Sequence, residues 1–152
     1  MNVETVGDVV QWSGDFHQSF AQFLPDSIAS SSNERAKLLG DDIARHEANL
    51  ATTILALKDT ESKNSLDTWV TEFLNNQPLP DTKYKDLHWA SLSSEQLLDE
   101  VLEVHAQLIE LYRHLHSRCA ATPAAGTLEQ LLDMEEQELS LISHSANRLR
   151  DL

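Results

Sequence analysis

Sulfur, turn-forming residues and basic charge are all scarce in this chain of 152 residues. Its one cysteine, Cys119, excludes an internal disulfide. A lone free thiol is what a reducing compartment permits, so a cytoplasmic protein is expected. Cys119 follows Arg118 near a helix end, a setting that admits a reactive thiol. Four glycines and four prolines are too few for a loop-rich or collagenous chain. No glycine-rich phosphate loop, nucleophile elbow or His-Glu-x-x-His motif occurs, so nucleotide-binding, hydrolase and zinc-protease readings have no footing. Eleven basic residues stand against twenty-five acidic ones, a formal charge of −14. That balance argues against nucleic acid and against anionic membrane surfaces, because both are held by clustered Lys and Arg. No apolar run approaches membrane-spanning length, and the opening "MNVETVGDVVQW" lacks the basic region of a secretory signal.

What is present is helical periodicity. Hydrophobic residues make up 41% of the chain, and its length suits one domain, residues 1–152, with a real core. Four amphipathic segments stand out. The first spans about 3–24, with Val6, Val10, Ser13, His17, Phe20 and Leu24 on one stripe, and "LPDS" is expected to end it. The second starts near Ser31, where Ser31-x-x-Glu34 has capping-box spacing. Its stripe is Leu39, Ile43, Glu47, Leu50, Ile54 and Leu57. The third starts at Ser93, capped by Ser93-x-x-Gln96, with Leu98, Val101, His105, Leu108, Tyr112 and Leu115 aligned. The fourth is expected to be capped by Thr127-x-x-Gln130, with Leu128, Leu132, Leu139, Ile142, Ala146 and Leu149 aligned through Glu135. Short links join the first pair and the last pair, so each pair reads as an antiparallel hairpin. The connection at about 59–92 is long enough to travel the length of a bundle, and it carries a short helical piece at 65–76. Trp69, Phe73 and Trp89 are expected to fasten it.

Each stripe carries an ionisable hydrophilic interruption: His17, Glu47, His105 and Glu135. Thirty residues separate His17 from Glu47, and thirty separate His105 from Glu135. If a pseudo-twofold relates the hairpins, the four residues lie at one depth. Buried carboxylates need partners or a metal, so Glu135 and its neighbour Glu138 are the residues to explain.

The pattern resembles the ferritin-like, or rubrerythrin-like, superfamily of all-α four-helix bundles, in particular its small bacterial members. There, two helices each give a Glu and two give Glu-x-x-His, around two metal ions. By that resemblance His17 and His105 stand where the lone glutamates would be. Glu47-x-x-Leu50 and Glu135-x-x-Glu138 stand where Glu-x-x-His would be. No Glu-x-x-His occurs in the chain. The resemblance therefore implies a candidate metal set of His17, Glu47, His105, Glu135 and Glu138. Its oxygen-rich chemistry suits iron or manganese over zinc, with redox chemistry on oxygen or peroxide as the reaction class. The other reading is a metal-free layer, retained for packing specificity, inside a non-enzymatic helical interaction module. Two local alternatives stay open: Glu138 facing solvent, and His46 replacing Glu47 inside. Asp42 with His46, and Glu110 with His114, have the i, i+4 spacing of surface pairs. His114 and His116 suit the dipole at a helix end. His144 reads as exposed. A homodimer is the oligomer such a protein would most readily form.

Overall fold

The computed structural model describes residues 2–81 and 83–150. It is all-α: α1 (Val6–Ile28), α2 (Glu34–Thr60), the short α3 (Lys63–Leu66) and α4 (Thr71–Asn76), then α5 (Ser94–Arg118) and α6 (Ala125–Arg150), with two 3₁₀ turns before α5. Among the described residues there is no strand, only an isolated antiparallel bridge between Thr5 and Trp69. The four long helices supply one contiguous core, which includes Phe20, Ile43, Val101 and Leu128. Among the described residues no helix is long and apolar enough to cross a membrane.

Local chemistry sets the helix ends. Thr5 caps α1 in a reciprocal box: its hydroxyl accepts from Asp8 N at 3.2 Å, and Asp8 accepts from Thr5 N at 3.1 Å. Ser93 and Gln96 form the expected box on α5. Two other expected caps are displaced. The cap of α2 is Asn33, whose side chain accepts from Ala36 N at 3.0 Å, while Ser31 instead accepts from Asn33 N. Asn is at least as good a cap as Ser and sits next to the first helical residue. Helix α6 begins at Ala125, so Thr127 lies inside its first turn. The Thr127 hydroxyl donates to Glu61 Oε1 at 2.7 Å and contacts Ser65 Oγ at 2.5 Å, tying α6 to the start of the connection.

Pro25 does not end α1. The helix runs on to Ile28, which is buried against Gly40 of α2, and a Cβ on Gly40 would lie 2.0 Å from the Ile28 Cδ1. Burial of Ile28 below Leu24 holds the extra turn, and the Ser27 hydroxyl donates to the Leu24 carbonyl at 2.8 Å.

Helix α1 packs along α2, α5 along α6, and α2 also along α6. The helix expected at 65–76 is broken in two. Val6 N donates to Thr68 O, and Val70 N to Glu4 O, each at 2.9 Å, and this extended pairing with the N-terminal segment interrupts the helix. Trp69 is 64% exposed and anchors nothing with its ring, contrary to expectation. Beyond it, Phe73 O accepts from His114 Nε2 of α5 at 3.0 Å. Tyr84 then packs edge-on against Phe20 and Phe23, as does Trp89, which is buried and donates Nε1 to Tyr84 O. The connection thus passes from the start of α1 towards its end. It delivers α5 with Leu97 beside Gly40, near the beginning of α2.

Candidate functional site: a closed His/Glu ring

The four stripe-breaking residues meet. His17, Glu47, His105 and Glu135 have no exposed surface. His17 Nδ1 lies 2.5 Å from Glu47 Oε2, and its Nε2 lies 2.7 Å from Glu135 Oε1. His105 Nδ1 lies 2.5 Å from Glu135 Oε2, and its Nε2 lies 2.5 Å from Glu47 Oε1. Each histidine uses Nδ1 on the glutamate thirty residues later in its own hairpin and Nε2 on the glutamate of the other hairpin. The two His–Glu pairs thus make equivalent contacts, atom for atom. The imidazole rings face one another at 5.6 Å between centroids, tilted by 35°.

Each of the four contacts needs one proton. Ionised carboxylates only accept, so with both glutamates ionised each proton is an imidazole N–H. Two imidazolium ions carry four N–H groups and two carboxylates offer four oxygens, so the ring closes with no group unpartnered and no net charge. The electrostatics agree in direction. Burial alone would lower the His17 pKa, but the Glu135 and Glu47 carboxylates outweigh it and raise it to about 9. His105 is raised well above its ordinary value against the same burial penalty. Burial would raise the Glu47 pKa, but His105 and His17 bring it down to about 2, and Glu135 is lowered in the same way. Beside the ring, Tyr112 is buried and donates its hydroxyl to Ser13 Oγ at 2.8 Å. Burial, then the nearby Glu135 charge, raises the phenol pKa well above its usual value. Tyr112 therefore stays protonated, a role its place on the apolar stripe did not announce.

A resident metal can be tested against this geometry. Two donors bound to one ion at about 2.1 Å lie about 3.4 Å apart in a tetrahedron and about 3.0 Å apart in an octahedron. The ring contacts of 2.5–2.7 Å are shorter than either, at or below the short end of charge-assisted hydrogen bonds. The donor types suit a divalent ion, and single donor atoms of His17, His105 and Glu135 lie within 4.8 Å of one another. An ion entering there must expel protons and spread the ring.

Glu138 does not belong to the ring. It faces inward, not to solvent, and is only 6% exposed, yet its Oε1 has no hydrogen-bond partner. Burial, reinforced by repulsion from Glu47, raises its pKa to about 7. The expected stripe of α6 holds at Leu128, Glu135, Ile142 and Ala146, which are buried, but Leu131, Glu138 and Ser145 are buried beside it while Leu132 and Leu139 are half-buried. Glu47, not His46, occupies the core. His46 lies at the α2–α6 seam, with Nδ1 3.4 Å from Glu138 Oε1 and Nε2 3.3 Å from Ser145 Oγ and 3.7 Å from Asp42 Oδ2. The Asp42–His46 pair is thus joined to a second helix rather than being a simple surface pair. His144 is exposed as expected. Cys119 is buried, and burial raises its thiol pKa, which opposes the reactive-thiol reading.

No protein family matches this chain, and no curated protein or solved structure does either.

Proposed function

We propose that the chain is a ferritin-like four-helix bundle in which an ion-paired His/Glu ring takes the place of a metal centre. On this reading it is a non-enzymatic helical module that acts through its surface. The observation that supports it is the complete pairing of four imidazole nitrogens with four carboxylate oxygens, which leaves no imidazole lone pair for an ion. A buried ion pair contributes little net stability, but it fixes which helix faces which, because any other register strands a charge. The test is metal analysis of protein purified without chelator, with melting temperature measured in chelator and in anaerobic Fe(II) or Mn(II). A metal-free protein whose melting temperature ignores both additions supports the reading. Stoichiometric metal, or a rise in melting temperature with metal, contradicts it.

A second reading rests on the proximity of the donor atoms of His17, His105 and Glu135. Here iron or manganese binds in the core, held by these three residues and Glu47, after the two imidazolium ions give up protons. Uptake should then rise steeply with pH and should fail in Glu135→Leu.

A further inference from the structure

The seam between α2 and α6 holds a buried carboxylate and an imidazole whose facing atoms share no hydrogen bond. His46 Nε2 is turned towards Ser145 Oγ at 3.3 Å and Asp42 Oδ2 at 3.7 Å. An N–H on Nε2 reaches Ser145 Oγ, which is itself hydrogen-bonded to Asp42, and this tautomer leaves the Nδ1 lone pair directed the other way. An acceptor behind a histidine in this manner orients the imidazole towards a metal. On that other side stands Glu138 Oε1, 94% of its residue's surface buried, with no hydrogen-bond partner. Two acceptors thus face each other at 3.4 Å. A shared proton would draw them to about 2.8 Å. Two donors on one tetrahedral ion would sit about 3.4 Å apart. The separation that the core ring does not have is present here.

The surroundings permit entry. Both residues line a solvent-open groove of about 370 Å³, with Asn49, Thr53 and Gln137 on its walls. A hydrated ion fits, since one water occupies about 30 Å³ in the liquid. Leu50 and Leu141 give one side an apolar wall. Keeping a carboxylate buried without a partner costs stability, which is the pattern of a group retained for binding.

We propose that His46 Nδ1 and Glu138 Oε1 form an exchangeable binding site for a divalent transition-metal ion in the α2–α6 groove, completed by water, with Asp42 and Ser145 positioning the imidazole. One nitrogen and one carboxylate oxygen suit zinc, cobalt(II) or iron(II) over calcium or magnesium. The site lies outside the ring and shares no ligand with it.

The probes are Zn(II) by titration calorimetry and Co(II) by its visible spectrum, on the whole chain. The expected result is one equivalent bound. His46→Gln and Glu138→Gln should each weaken it at least tenfold, and Asp42→Asn should weaken it severalfold. Glu135→Gln, which alters only the ring, should bind as wild type does. Glu138→Gln is nearly isosteric and removes an unpartnered charge, so it should fold, and its metal-free melting curve verifies this. Absence of binding overturns the site. So does binding unchanged in both His46→Gln and Glu138→Gln, and so does binding lost only in Glu135→Gln, which would place the ion in the ring.

Discussion

At the scale of single residues, the ring makes an unusual forecast for Glu135. In Glu135→Gln the amide oxygen can accept from one imidazole and its NH₂ can donate to the other. A ring with one imidazolium, one neutral imidazole and Glu47 is again fully paired and neutral. Stability at neutral pH should therefore change by less than about 1 kcal/mol, well below what breaking a buried pair costs. Glu135→Leu leaves His17 Nε2 and His105 Nδ1 without partners, both fully buried. It should cost about 3–5 kcal/mol. Urea denaturation of the two variants measures the difference, and equal losses would show that the hydrogen-bond ring is not what Glu135 serves. Glu138 behaves oppositely. Its pKa is raised to about 7 from 4.5, so its charge works against folding with full effect above pH 7 and none below 4.5. Glu138→Gln should raise stability at pH 8 by up to about 3 kcal/mol and leave it unchanged at pH 4. The same denaturation at both pH values checks this. Of these residues the sequence displayed His17, Glu47, His105 and Glu135, because each interrupts an apolar stripe. It did not display the partnership of His46 with Glu138, which depends on how α2 crosses α6.

At the scale of elements, the long helices were legible and their ends less so. Periodicity integrates over many turns, whereas a cap is one competition, won by Asn33 over Ser31 and lost at Thr127 to Glu61 and Ser65. The split at Asp67–Val70 was hidden because its cause is pairing with Glu4 and Val6, more than sixty residues away. On α6 the stripe through Leu128, Glu135, Ile142 and Ala146 was legible, but its edge was not, since Leu132 and Leu139 fit it on paper as well as Leu131 and Glu138 do. Close packing between elements gives a paired prediction. A Cβ at Gly40 would strike Ile28, which is buried, whereas one at Gly126 meets nothing within 4 Å. Gly40→Ala should destabilise by about 1–3 kcal/mol. Gly126→Ala should be neutral or stabilise by up to about 1 kcal/mol. Thermal melting of the two variants checks the order, and a stabilised Gly40→Ala would mean that the α1–α2 contact is looser than described.

At the scale of the whole molecule, the titrating core groups define a pH window. His17, raised to about 9 from 6.5, contributes stability that is complete below pH 6.5 and lost as pH rises through 9. Glu47, lowered to about 2 from 4.5, contributes stability that is complete above pH 4.5 and lost as pH falls through 2. Glu138 begins to oppose folding above pH 4.5. These effects add up to a maximum between about pH 4.5 and 6.5 and a fall towards pH 9. The formal charge of −14 tilts the same way, because mild acid relieves self-repulsion. Scanning calorimetry from pH 3 to 10 tests the shape, and a melting temperature that rises through pH 9 would contradict it.

Two imidazolium ions and two carboxylates hold the core together. The protonation of His17 and His105 can be read directly, by ¹⁵N resonance of histidine-labelled protein in chelator at pH 7.5. The account predicts that both nitrogens of both residues carry protons, with four slowly exchanging, strongly downfield N–H signals. The His17 pair should persist until the pH approaches 9, and the His105 pair well above the ordinary imidazole range. Neutral imidazoles at pH 7.5, with one unprotonated nitrogen on each ring, would contradict it.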